Sequence, residues 1–246
     1  MPEPQLWSLL LSLLVEQQSA IDAEVRRRSD ELRRALLHNI SHELRTPLAS
    51  IVASASSLRQ SDVDWSAGEQ VEFAQAIEDE ALRLNRVVDN LLDLARIEGG
   101  TLQPVKGWYD IGALIDDVAG RLRPHLEQQH LHVQVEEDLP PVELDYVAID
   151  RVLTNLIEHA ASRTPAGGII VIRACADDSA IRLSIADAGP PVDASGLPRL
   201  FEAFTRPKGF GLGLAVAKGV VEAHGGQMWA DNSAHGGLQM SFTLPV

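Results

Sequence analysis

The sequence predicts an α+β protein: a long helical hairpin that dimerises into a four-helix bundle, followed by an α/β sandwich. Three observations predict it. Leu37, Ile40, Leu44, Leu48 and Ile51 recur at three- and four-residue steps, the pattern of a helix with one buried stripe. Ile77, Ala81, Leu84, Val88, Leu91 and Ala95 alternate four- and three-residue steps, the seam of a coiled-coil-like hairpin. After Gly99-Gly100 the pattern breaks into short β-rich runs mixed with helical ones. Two amphipathic helices on a short connector cannot bury both stripes alone, and pairing with a second copy solves this, so a homodimer is expected.

Bulk properties narrow the function classes. Of 246 residues, 45% are apolar and 23% charged, a globular balance. The formal net charge of −14 argues against a nucleic-acid partner, which calls for clustered Lys and Arg. Cys175 is the only cysteine, so no intrachain disulfide can form, and no Cys/His spacing suggests zinc. A reducing, cytoplasmic location fits. The apolar run Leu6–Val15 is shorter than the ~20 residues a membrane span needs, and it lacks the basic flank of a signal peptide. It reads as a helix packed on something upstream or on its own copy, which fits the cytoplasmic output half of a longer receptor, with no transmembrane segment in this chain.

Taken in order, the first helix runs from about Leu6 to Leu58, through the charged run Glu24–Arg34, whose mixed signs read as a solvated coiled-coil face. Pro47 removes a backbone donor and is expected to kink it. A polar break at Gln60–Gly68 leads to a second helix, about Glu69–Glu98, ended by Gly99 and Gly100. Gln103–Ile111 looks like a strand entering a helix over Asp110–Glu127, and His130–Glu136 alternates as a half-buried strand. Leu144–Ser162 reads as a helix. Ile169–Ala174 and Ala180–Ala186 form a hairpin across Asp177-Asp178-Ser179. A Gly/Pro-rich loop, a short helix near Leu197–Phe204, a longer one from about Gly211 to Ala223, and strands at Gln227–Asp231 and Leu238–Leu244 complete a mixed sheet with helices on one face.

The chemistry begins at His42. It lies about 200° around the helix from Ile40 and Leu44, so it faces away from the buried stripe, with Glu43 next to it and Thr46 one turn on. An exposed histidine on an amphipathic helix is by itself no evidence of a site. The string S-H-E-L-R-T-P-L around it, however, closely resembles the phosphoacceptor motif of sensor histidine kinases.

Four further elements, in the family's order, resemble the ATP-binding domain shared by histidine kinases, Hsp90-type chaperones, gyrase and MutL. Arg151–Ala160, R-V-L-T-N-L-I-E-H-A, matches the N box. In the family two asparagines four residues apart address the nucleotide, the second through an amide oxygen to Mg²⁺, which prefers oxygen. Asn155 holds the first position, and His159 replaces the second. The family's basic residue three places on is Ser162, with Arg163 one step off register. Asp187-Ala188-Gly189-Pro190-Pro191 resembles the G1 box, with Pro191 in place of its second glycine. Leu200–Phe204 resembles the F box. Gly209–Ala215, G-F-G-L-G-L-A, matches the G2 box, whose glycines open a helix that can offer backbone N–H groups to phosphates. Asp89–Gly100 matches the usual end of the dimerisation hairpin. The resemblance covers Leu32–Val246 and has the flavour of the Kdp-type sensor kinases.

The resemblance implies a homodimeric sensor histidine kinase with a signalling helix at 1–30, a dimerisation and phosphotransfer domain at 31–100, and an ATP-binding domain at 104–246. It implies ATP and Mg²⁺ as cofactors, with Asn155 at the metal and His159 at the position beside it. Adenine would sit on Asp187 with Gly189 letting the backbone approach, and the phosphates would meet Gly211, Gly213, Arg206 and Lys208. His42 would take the γ-phosphate and pass it to an aspartate of a response-regulator receiver domain. Glu43 would orient the ring or take its proton, and Thr46 would position water for dephosphorylating that regulator. His159, Ser162 and Pro191 all depart from the pattern in the ATP half. They leave open a phosphatase-biased or pseudokinase-like phosphotransfer protein, and, from another class, a non-enzymatic dimeric scaffold.

Overall fold

The computed structural model of the chain describes residues 44–60, 62–126, 128–177, 179–203, 211–233 and 236–246. These fall into two compact units that divide between Leu84 and Asn85.

The first unit is helical. Helix α1 covers 44–58, continuing through Pro47, and α2 covers Ala67–Glu98. A capping box starts α2: Ser66 N and Oγ donate to Glu69 Oε2 at 2.8 and 2.7 Å, and Glu69 N donates back to Ser66 Oγ at 3.3 Å. These bonds hold the Glu69 carboxyl below its ordinary pKa. Trp65 closes the connector, donating from Nε1 to Ser57 O at 2.8 Å and meeting Phe73 edge to face. Leu48, Val71 and Leu82 remain 52%, 62% and 52% exposed in the single chain.

The second unit starts with the last turns of α2. Their end is a Schellman motif: Gly100, at φ +63°, donates to Ile97 O and Thr101 N to Arg96 O. The chain then runs β1 (Gly107–Tyr109), α3 (Ile111–Leu122), β2 (His130–Val135), β3 (Val142–Leu144), α4 (Tyr146–Arg163), β4 (Ile169–Asp177), β5 (Ala180–Ala186), α5 (Gly213–Ala223), β6 (Met228–Asn232) and β7 (Leu238–Pro245). β1 and β3 form a small antiparallel pair. The main sheet has the order β2-β4-β5-β7-β6, parallel between β2 and β4 and antiparallel elsewhere.

Period-2 alternation selects the covered face of this sheet. Ile172 pairs with Ile185 and Ile185 with Met240, while Ala174 pairs with Leu183 and Leu183 with Phe242, all buried. The alternate positions carry Arg173, Ser184 and Ser241. Helices α3, α4 and α5 pack side by side on the sheet, with α4 in the middle. Asp110 caps α3 by accepting from Gly112 N and Ala113 N, and Asp145 caps α4 by accepting from Ala148 N.

Several expected boundaries shift for local reasons. Helix α3 stops at Leu122 rather than Glu127, because Pro124 has no N–H to continue it and the chain tightens into a 3₁₀ turn over Arg123–His125. Leu144, expected to open a helix, instead ends strand β3, and α4 starts at Tyr146 after the Asp145 cap. The helix expected near Leu197–Phe204 is a 3₁₀ turn over Pro198–Phe201. The seam of α2 also departs from expectation beyond Leu84. Val88 and Ala95 are exposed, while Leu94 is buried and Leu91 and Ile97 pack on the core of the second unit. There the helix answers to the sheet domain's core rather than to a hairpin seam.

Candidate functional site

His42 and Glu43 lie outside the described residues, as do Arg206 and Lys208. Thr46 is exposed on α1, one turn beyond the His42 position.

The other candidates fall into two groups along α4: Asn155 with Gly213 at the start of α5, and Asp187 with Gly189 just after β5, met by Arg163 at the end of α4. Asn155 projects from α4 and donates from Nδ2 to Gly213 O at 3.2 Å, the first residue of α5. A Cβ on Gly213 would sit 3.2 Å from Asn155 Cγ and Oδ1, so the glycine permits this approach. Helix α5 begins without a side-chain cap, which suits its first-turn N–H groups to an anion. Gly211 is buried in the turn that leads to it. Asn155 Oδ1 is the kind of oxygen a hard cation takes. His159, one turn on, is buried within α4's packed face at 1% exposure, and Ser162 Oγ donates to its carbonyl at 2.7 Å. An imidazole enclosed in this way does not suit Mg²⁺, which keeps waters and oxygen ligands.

Asp187 directly follows β5, and its side chain is fully enclosed. Its Oδ1 accepts from Gly189 N at 2.8 Å and Leu238 N at 3.0 Å. Its Oδ2 accepts from Arg163 Nε at 2.7 Å, and Arg163 Nη2 donates to Pro190 O. The carboxylate is therefore engaged at both oxygens. Gly189 makes its close approach to Arg163: a Cβ there would lie 2.5 Å from Arg163 O. Gly237, at φ +83°, lies against the other side, where a Cβ would meet Asp187 O at 2.0 Å.

Three residues of this site carried no functional reading in the sequence. Arg163 stood only as a residue one step off register. Thr164 donates from Oγ1 to Ala160 O at 2.8 Å and accepts from Ala188 N at 3.3 Å, joining α4 to the loop after β5. Asn232 grips that loop at both backbone atoms of Val192, donating to its carbonyl at 2.7 Å and accepting from its N–H at 2.8 Å. None of these pairings leaves a periodic signal, since each joins residues 24, 27 or 40 positions apart, the local Ala160 bond excepted.

Next to Asn155, a cavity of about 300 Å³ is lined by residues that include Asp93, Arg151, Asn155, Val216 and His224. His224 ends α5. Its Nε2 accepts from Asp145 N at 3.0 Å and its Nδ1 faces Val220 O at 2.8 Å, an arrangement that requires the neutral ring protonated at Nδ1. Burial lowers its pKa below the ordinary 6.5, Val220 O opposes this, Lys106 adds to the lowering and Asp145 opposes it.

Comparison with known proteins places these features. Residues 32–100 match the family model described as the His Kinase A (phospho-acceptor) domain, and residues 144–246 the one described as histidine kinase-, DNA gyrase B- and HSP90-like ATPase. The chain is 29% identical to the sensor protein KdpD of Clostridium acetobutylicum, over 95% of this chain and 27% of that protein. It thus spans about a quarter of the length of such relatives. Among solved structures it is similar to a mycobacterial sensor histidine kinase, MprB, at 30% identity and TM-score 0.53, covering 57% of this chain and 97% of that one. It is also similar to full-length ShkA in complex with AMPPNP, at 29% identity and TM-score 0.64, covering 85% of this chain and 45% of that one. No helix among the described residues is long and apolar enough to cross a membrane.

Proposed function

The chain belongs to the sensor histidine kinases of two-component systems, with an ATPase-type nucleotide domain, and from that premise we propose that it phosphorylates its own His42 from ATP and passes the phosphoryl group to an aspartate of a response-regulator receiver domain. Residues 31–100 form the dimerisation and phosphoacceptor domain and 104–246 the catalytic domain; the signalling helix expected at 1–30 lies outside the described residues.

The observation that carries this reading is the Asn155–Gly213 contact. It brings the asparagine of one motif and the glycine-opened helix of another to a single point, although they are 58 residues apart. Phosphates of the substrate ATP fit the N-terminus of α5, where Gly211, Gly213, Arg206 and Lys208 would hold them. Mg²⁺, when bound, neutralises charge on those phosphates, and Asn155 Oδ1 is the residue oxygen suited to it. Glu43 orients the His42 ring or accepts its proton, so that a ring nitrogen can act as nucleophile. Thr46 positions water for the reverse duty, removal of phosphate from the regulator. The apolar positions left exposed on the helices, Leu48, Val71 and Leu82 among them, fit a homodimeric bundle.

Incubation with γ-labelled ATP and Mg²⁺ tests the proposal. Acid-labile label on the wild type that is lost in His42→Gln is the expected result. Label that persists in that variant would assign the acceptor elsewhere. Absence of label together with dephosphorylation of a phosphorylated regulator would replace the kinase reading with the phosphatase-biased one.

A further inference from the structure

We infer that Arg163 is a built-in competitor for the base of the nucleotide: it holds the Asp187 carboxylate, so the site does not read a 6-amino group and takes 6-amino and 6-oxo purine triphosphates alike. The inference rests on the proposed nucleotide site and on the family resemblance that sets the base at Asp187.

The geometry leaves the carboxylate little spare capacity. Two backbone N–H groups engage Oδ1, and the Arg163 guanidinium engages Oδ2. The pair is secluded, with the Asp187 side chain 0% and Arg163 13% exposed. Oδ2 keeps one acceptor site, but no part of the Asp187 side chain is exposed, so an amino group reaches it by shifting the Arg163 guanidinium and exchanges a charge-assisted bond for a weaker neutral one. A base with an oxygen at position 6 has no such conflict, because the guanidinium hydrogens not used on Asp187 and Pro190 can donate to purine O6.

The surroundings hold Arg163 in place. Its backbone cannot retreat, since Gly189 packs against its carbonyl without room for a Cβ. Its Nη2 is engaged by Pro190 O, and Pro191 restricts residue 190 to an extended conformation that presents this carbonyl. Asn232 fixes the next residue, Val192, at both backbone atoms. Two departures from the family pattern, arginine just past the usual basic position and proline for the second glycine, thus build one feature.

The test is calorimetric titration of the full chain with Mg-ATP and Mg-ITP, in the wild type, Arg163→Ala and Arg163→Gln, with circular dichroism to establish folding. The wild type should bind the two nucleotides within about threefold of each other. Either variant should favour ATP by about tenfold or more, equivalent to about 1.4 kcal/mol, as Oδ2 becomes available to the amino group. A merely structural Arg163 would change both affinities together and leave their ratio unmoved. A wild type that already prefers ATP by about tenfold, with the preference unchanged or reduced in the variants, overturns the inference while leaving nucleotide binding intact. Failure of every folded protein to bind either nucleotide overturns the nucleotide-site reading itself, and this inference with it.

Discussion

The side chain of Ile97, in the last turn of α2, occupies the space over Gly219 of α5: a Cβ on that glycine would lie 2.6 Å from Ile97 Cδ1 and 2.8 Å from Cγ2. Glycine within a helix costs about 1 kcal/mol relative to alanine, and here the missing side chain is what admits the isoleucine. Gly219→Val should therefore destabilise the fold by about 1–3 kcal/mol through overpacking. Ile97→Ala should relieve that clash, so the double variant should lose clearly less than the sum of the singles in a urea-denaturation cycle. Strict additivity would show that the two residues do not share the space.

A second link of the same helix end is ionic. Arg151 Nη1 donates to Asp93 Oδ2 at 2.8 Å, and Arg96 lies 3.4 Å from Oδ1 of the same carboxylate. Asp93 is buried, whereas Arg151 is nearly half exposed, so the pair is partly screened. Arg151→Met should cost about 1–2 kcal/mol, chiefly by leaving a buried carboxylate short of a partner. Adding Asp93→Leu should recover part of that loss. Thermal denaturation of the two variants checks this, and a double variant less stable than Arg151→Met would contradict it.

At the mouth of the site, Gly213→Ala places a methyl group 3.2 Å from the Asn155 carboxamide. The amide can yield by a few tenths of an ångström, so the fold should survive while the bond from Asn155 to residue 213 is disturbed. ATP affinity should fall by about tenfold with a Tm shift of a few degrees at most, on the order of 1 kcal/mol or less in stability. Titration with a fluorescent ATP analogue alongside a thermal melt separates the two effects. Unaltered affinity would detach Asn155 from nucleotide binding.

His224 makes stability depend on pH. Burial lowers its pKa below 6.5, so over the interval between its folded and unfolded values the unfolded chain binds a proton that the folded one does not. Stability from this group is therefore complete above about 6.5 and declines as pH falls from there towards the folded value. Protonation at Nε2 would also break the bond from Asp145 N, which belongs to the residue that caps α4. Tm measured between pH 8 and 5 should fall less steeply in His224→Gln than in the wild type. Parallel slopes would assign the dependence to other groups.

Much of this architecture was legible in local pattern. The alternation in β4, β5 and β7, the helical stripe of α4 and the Gly99-Gly100 stop all carry one-dimensional signals that survive into the structure. The capping box at Ser66 and Glu69 is an equally local signal, a serine followed three residues later by a glutamate within the polar break. Strand β3 left no usable signal because three residues are too few for a period.

By itself the sequence determined the order of the elements, the covered face of the sheet and the ordered motifs, because periodicity and turn chemistry are local properties. It also determined which positions depart from the family pattern. Only the tertiary structure decided what two of those departures do. Arg163 leaves α4 as its last residue and meets Asp187 just after β5 because the packing of that helix on the sheet points it there, and Pro191 holds Pro190 extended so that its carbonyl, with Gly189, completes the seat. It also decided that the last turns of α2 serve the core of the second unit, through Leu94, Ile97 and Asp93. Pairings of this kind depend on how one element is rotated against another, which no spacing along the chain encodes.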